Sequence, residues 1–364
     1  MKEYKRLGDY IREVDVRNKD LKVTNLMGIK IDKHFMPSVA NTIGTDLSNY
    51  KVVSKNQFAC NLMHVGRDEK IPIAILLDEN KIIVSPAYFT FEIINFELLL
   101  PEYLMMWFSR KEFDRNAWFY TDADVRGGMD KRTLMDMQLP IPSIEQQREI
   151  VSEYETISKR IKLNEQIIKN LEATAQTLYH KMFVEGIDKE NLPEGWRIGT
   201  IGEFCDIITG KKDVNESLSS GKYRFFSCSL DYFYSNDYIA KGPAVLIVGN
   251  GSYTGKVTYY DKEFDLYQRT YACIPKNDFP SLIPFLYCVL KFQFQEKYLG
   301  GSRGSSIPYI VRGDIADFEF VYNKVHVMQL LVEVEMILKY IQLKLEENKN
   351  LTELRSLLLA KMGK

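Results

Sequence analysis

From Ile150 onward apolar side chains recur at Tyr154, Ile157, Ile161, Ile168, Leu171, Ala175, Leu178 and Met182. Counting Asn164 with them, steps of four and three alternate without a break, which is a heptad seam and not merely an amphipathic face. The seam predicts a helix running to about Phe183, about 60 Å long at the usual rise per residue. Ser143, followed three residues later by Gln146, has the pattern of a capping box. Pro140 and Pro142 just upstream hold the backbone extended, so this helix must start afresh. A second, less regular seam runs through Leu330, Val334, Ile337, Ile341, then Leu345 or Asn348, and on through Leu351, Leu358 and Met362. Alone, either helix would expose a long apolar stripe, so the two are expected to pair antiparallel. With their ends level, Asn164 meets Asn348, and a buried asparagine pair fixes register at some cost in stability.

Outside the seams the pattern changes to short strand-like runs. Ile71–Leu77 and Lys81–Val84, separated by Asp78-Glu79-Asn80, read as a hairpin, and 101–113 has helical apolar spacing. A polar, glycine-containing loop follows at Tyr120–Arg132. The same succession returns later: strand-like pieces at Tyr223–Ser227, Ala244–Val248 and Val257–Tyr260, a helical piece at 284–294, then a loop from Gly300 to Ser306. Val65-Gly66 matches Val248-Gly249, Asp78 matches Asp261, Tyr88 matches Tyr271 and Pro101 matches Pro284, all at one offset. Leu7-Gly8 matches Ile201-Gly202 at the front, and Lys181-Met182 matches Lys361-Met362 at the back. The chain is therefore read as one internal duplication, each copy a globular segment followed by a long helix.

Composition narrows the class only modestly. The 364 residues are 45% hydrophobic, 12% aromatic and 27% charged, as expected of two or three globular domains. No apolar run approaches a membrane span, and Met1-Lys2-Glu3-Tyr4-Lys5-Arg6 lacks an apolar signal core, so a cytoplasmic protein is expected. Five cysteines (Cys60, Cys205, Cys228, Cys273, Cys288) without C-x-x-C spacing read as buried thiols, and no metal site is expected. The net charge of −1 gives no global footprint for nucleic acid, so any DNA contact must come from locally segregated Lys and Arg.

The run Leu139-Pro140-Ile141-Pro142-Ser143-Ile144-Glu145-Gln146-Gln147-Arg148, leading to Tyr179-His180-Lys181-Met182-Phe183, resembles the central spacer of the specificity (S) subunits of type I restriction–modification systems. So do Leu192-Pro193-Glu194-Gly195-Trp196 and Ile208-Thr209-Gly210-Lys211. The resemblance covers nearly the whole chain. It implies an α+β chain of two mixed α/β target recognition domains separated by two long antiparallel coiled-coil helices, with a pseudo-twofold internal repeat. The bounds are residues 1–142, the spacer 143–185, residues 186–322 and the second spacer 323–364. It further implies a non-catalytic subunit, with each domain reading half of a split site on double-stranded DNA and the helices setting the gap. Two methyltransferase subunits would dock on the helices and recruit restriction/translocase subunits. S-adenosylmethionine, ATP and Mg would be bound by those partners and no cofactor by this chain. The second spacer departs from the pattern, having Tyr322-Asn323-Lys324 and Val327 at its start, so the two docking surfaces are expected to be unequal.

Base edges are read by Arg, Lys, Asn, Gln, Ser and Thr, and glycine-rich turns let a backbone approach phosphates. On those grounds the candidates in the first copy are Arg67, Tyr120, Thr121, Arg126, Lys131 and Arg132. In the second they are Asn250, Ser252 and Lys256 in the turn 249–256, and Ser302, Arg303, Ser305 and Ser306 in the later loop. Trp107, Trp118 and Trp196 are expected in the core. Two other classes compete with this reading. A DNA methyltransferase would need an Asn/Asp-Pro-Pro-aromatic tetrad, which the sequence lacks. A coiled-coil adaptor with two protein-binding ends explains the helices, but not loops that diverge on a shared frame.

Overall fold

A computed structural model describes residues 4–38, 44–78, 80–121, 127–299 and 308–363, with no account of the Pro280 side chain. The chain divides into two compact units: residues 1–162 with 348–364, and residues 163–347. Each long helix therefore contributes to both.

In the first unit, strands β1 (Ile11–Glu13), β2 (Gln57–Cys60), β3 (Ile73–Ile75) and β4 (Phe89–Ile93) form an antiparallel sheet in the order β1-β4-β2-β3. In the second, β5 (Cys205–Thr209), β6 (Ala244–Val248), β7 (Val257–Tyr260) and β8 (Thr270–Pro275) form an antiparallel sheet in the order β5-β8-β6-β7. Strand for strand, the topology is the same. Each unit is also closed in the same way. Tyr4–Arg6 pairs antiparallel with Gln138–Pro140 before the first long helix, and Arg197–Thr200 pairs with Glu319–Tyr322 before the second.

Alternation along these strands explains the cores. Phe58 and Cys60, Phe89 and Phe91 turn their side chains to one face, where helix α2 (Pro101–Phe108) covers them with Tyr103, Leu104 and Phe108. The rings of Phe58 and Phe91 stack with centroids 4.9 Å apart. Ala59 points to a second, smaller cluster with Val53, Ile82 and Val84. In the second unit Val245, Ile247, Tyr271 and Cys273 face a core completed by Phe285, Leu286 and Val289, while Leu246 and Ala272 face another.

Three expectations change here. First, Cys60 pairs with Phe89 and Ile73 as Ile247 pairs with Tyr271 and Val257, so Val248 falls level with Asn61 and not with Val65. The two copies carry connections of different length between aligned elements, which a constant offset hides. Second, Ile73–Ile75 and Ile82–Val84 are not a hairpin pair. The former joins Gln57–Cys60, the latter joins Lys51–Val53, and their side chains serve separate cores. Third, the helix expected over 101–113 breaks at Ser109-Arg110 into α2 and α3 (Lys111–Phe119). The break lets Phe113 and Ala117 pack inward while Arg110 stacks on Trp107, 4.1 Å from the ring centroid.

The long helices span Ile144–Phe183 and Lys324–Lys361. No seam position of the first is exposed, Ile161 is buried, and Asn164 and Ala175 are fully buried. Within the first unit, the Asn348 amide donates to the Ile161 carbonyl at 3.5 Å, and Arg355 lies 5.9 Å from the Tyr154 ring centroid. Numbers that rise on one helix as they fall on the other mark an antiparallel pair. At the ambiguous seam position Asn348 takes the inner place, whereas Leu345 is exposed. No helix among the described residues is long and apolar enough to cross a membrane.

Candidate nucleic-acid interface

In the first unit, α1 (Val65–Asp68) follows the end of β2 and is anchored by the buried Val65. Its Gly66 amide donates to the Gly127 carbonyl at 2.7 Å, and the Met129 amide donates to the Leu62 carbonyl at 2.9 Å. Both glycines are required by the closeness of the two backbones. A Cβ on Gly66 would lie 2.8 Å from the Gly127 Cα, and one on Gly127 would lie 2.6 Å from the Gly66 Cα. Gly127 also adopts φ +57°, in the left-handed region that favours glycine. Two chain segments some sixty residues apart are thus stapled into one platform.

Several candidate side chains gather on it. Arg67 leaves α1 exposed and is held bidentate by its neighbour Asp68, at 2.7 and 3.0 Å. That hydrogen bonding raises the Arg67 pKa and lowers that of Asp68. Thr121 caps α3, its hydroxyl donating to the Trp118 carbonyl at 2.8 Å, and its Oγ1 is 3.3 Å from where a Gly66 Cβ would stand. Tyr120 is exposed at the same helix end. Asp130 caps the short helix Lys131–Asp136 by accepting from the Arg132 amide at 2.6 Å, leaving the Arg132 side chain exposed. Lys131 is drawn to Glu13 at 2.7 Å. Arg126 lies outside the described residues.

The second unit builds an equivalent platform from different residues. The turn 249–256 meets the segment that follows the later loop: the Gly251 amide donates to the Pro308 carbonyl at 3.1 Å, and the Ile310 amide donates to that of Gly249 at 2.9 Å. Thr254, fully buried, places its hydroxyl within hydrogen-bonding reach of the carbonyls of Gly251 (2.7 Å) and Pro308 (2.9 Å). Gly255 has φ +86°, and a Cβ there would stand 2.5 Å from the Tyr298 carbonyl oxygen. Asn250 bridges to Tyr309, and Ser252 is exposed at the turn's tip. Lys256 is half-buried, its ammonium 3.5 Å from the Leu230 carbonyl; burial lowers its pKa, and the charge of Lys291 lowers it further. Ser302, Arg303, Ser305 and Ser306 lie outside the described residues.

In each unit, then, the segment after the second sheet strand grips the base of the loop that follows the helices. Arg67 and Thr121 come together at the first platform, and the turn 249–256 joins the far side of its loop at the second. Sequence reasoning missed the residues that do the gripping. Gly127 gave a signal as a glycine in a polar loop, and Thr254 gave none beyond its place in a glycine-rich turn. Trp118 was misplaced. Trp107 is buried and Trp196 packs against the second core, but Trp118 is 46% exposed, because α3 buries only its Phe113–Ala117 face. Gln147 was also missed: it is fully buried and ties the first long helix to the turn before α2.

Two mixed α/β units of one topology, each closed by an entry and exit strand and continued by a long seam helix, define a duplicated, spacer-linked class of chain. Residues 193–322 match the model of the type I restriction modification DNA specificity domain. The specificity subunit of the type I restriction enzyme EcoDI from Escherichia coli is 37% identical over 129 residues, which are 35% of this chain and 27% of that relative's length. The crystal structure of the type I restriction–modification S subunit from M. genitalium has the same fold over the whole chain. It superposes with a TM-score of 0.60 at 16% identity, covering 100% of this chain and 96% of that one.

Proposed function

We propose that this chain is the DNA-reading, non-catalytic subunit of a type I restriction–modification complex in the cytoplasm. Each unit reads one half of a split site on double-stranded DNA, and the two long helices set the unread gap between them. The observation that carries the reading is the recurrence of the glycine-stapled platform. The frames are alike while the sequences that run between their stapled segments, 120–132 in one unit and 300–306 in the other, differ, as two readers of different half-sites require. Arg, Lys, Ser and Asn at the rims suit phosphates and groove edges.

Chemistry then belongs to partners: methyltransferase subunits that bind S-adenosylmethionine, and restriction/translocase subunits that use ATP and Mg. The second long helix supports docking of a helical partner. Val325, Met328, Val332, Met336, Tyr340 and Leu343 recur at steps of three and four, all exposed. The corresponding stretch of the first long helix shows Glu145, Arg148, Ser152, Thr156, Arg160 and Leu163, polar at all but the last, so the two docking surfaces differ in strength. The test is DNA affinity of the chain combined with its methyltransferase partner, measured from low to high salt. The reading predicts tight binding that weakens steeply with salt and needs this chain. Partner assembly without chain-dependent DNA affinity would overturn it in favour of the adaptor.

A further inference from the structure

Helix α3 ends in three consecutive aromatic residues, Trp118, Phe119 and Tyr120, and a helix cannot bury three neighbours at once. Phe113 and Ala117 take the inward positions, leaving Phe119 80% exposed and Tyr120 55% exposed beside the half-exposed Trp118. The group is built rather than frayed. The Tyr120 amide donates to the carbonyls of Asn116 and Ala117, Thr121 caps the end through its hydroxyl, and the Phe119 and Tyr120 rings meet edge to face at 5.2 Å. Through Thr121 this tip adjoins the Gly66–Gly127 staple. At the matching helix end of the second unit, after Gln295–Tyr298, the exposed apolar residue is the aliphatic Leu299. The tips thus diverge together with the loops they support, while the staple beneath is retained.

We propose that Phe119, supported by Trp118 and Tyr120, is a stacking residue that presses against a locally unstacked base step in the DNA half-site read by the first unit. This rests on the proposed function and adds a specificity-determining contact to it. A rigid aromatic edge next to a backbone platform is the arrangement by which proteins wedge base steps or stack on exposed bases. Arg67 and Arg115, both exposed near the tip, supply positive charge for the flanking phosphates, although Asp68 and Glu112 partly offset it.

The experiment uses the chain assembled with its methyltransferase partner and a duplex carrying the cognate bipartite site, with 2-aminopurine placed in turn along the first half-site. The wild-type complex raises the fluorescence at one step of that half. Phe119→Ala abolishes the rise and weakens binding at least about fivefold, the low end for a base–aromatic stack, while Phe119→Trp restores both. Phe119 is exposed, so neither variant disturbs the core, and the second half-site is read as before. Wild-type fluorescence and affinity in Phe119→Ala would overturn the proposal while leaving the reading of the site intact. Loss of the methyltransferase from purified Phe119→Ala would overturn it too, marking the tip as a protein contact. A wild-type complex without site-specific binding would overturn both the proposal and the reading beneath it.

Discussion

The Gln147 side chain accepts a hydrogen bond from the Leu100 backbone amide at 2.9 Å. Its amide nitrogen lies 2.9 Å from the carbonyls of both Leu98 and Pro142, and the residue is fully buried. One glutamine therefore satisfies the turn that opens α2 and the extended entry to the first long helix. In the second unit the helix start relies on Asn323 instead, which accepts from the amides of Val325 and His326 and donates to the Gly195 carbonyl at 2.9 Å. Gln147→Ala removes this partner from three partly buried backbone groups, the Leu100 amide and the Leu98 and Pro142 carbonyls. It is expected to destabilise the first unit by about 2–4 kcal/mol, seen in urea denaturation as an earlier transition for that unit alone.

Gly66→Ala puts a Cβ 2.8 Å from the Gly127 Cα, against backbone that has no side-chain freedom to yield. The platform must open, at a cost on the order of 2 kcal/mol. Methylation by the assembled complex should then lose fidelity at the half-site read by the first unit and keep it at the other. Equal loss at both halves would contradict a local role.

Arg132 is exposed, whereas Lys131 is drawn to Glu13. If both touch phosphate, replacing either with Ala lowers the slope of log affinity against log salt by about one, with little change in sequence preference. A change of preferred sequence with the slope unaltered would show base contact instead.

Asn164 is buried in the seam of the second unit, and Asn348 holds a seam place in the first. Substituting both with Leu is expected to add on the order of 1–2 kcal/mol of stability while permitting alternative registers or oligomers. Light scattering and denaturation together check this; one uniquely folded, unchanged species would remove the asparagines from register control.

Burial pushes the Cys205 thiol up to about 12 and raises those of Cys60, Cys273 and Cys288 as well, while Cys228 is only half-buried. The thiolate is the reactive form. Native protein at pH 8 should therefore label slowly and first at Cys228, with all five cysteines labelling at once in denaturant.

The long helices were legible because a heptad seam is a local periodicity, carried by residues such as Ile161, Ala175 and Val334 whatever they pack against. The duplication was legible too, down to the prolines that open matching helices, Pro101 and Pro284. What escaped was non-local. Nothing in the sequence joins Gly66 to Gly127, because their need for glycine arises only when two backbones meet. The separation of Ile73–Ile75 from Ile82–Val84 escaped for the same reason, since each strand chose a partner upstream rather than its neighbour. Trp118 was lost to the break at Ser109-Arg110, which resets the face that α3 buries.

The most direct measurement is genome-wide detection of modified adenine by long-read sequencing, in cells expressing this chain with its methyltransferase partner and in cells lacking it. The account predicts a bipartite motif with a fixed unread gap that disappears with the chain. Partner-dependent methylation that is unchanged when the chain is removed would contradict it.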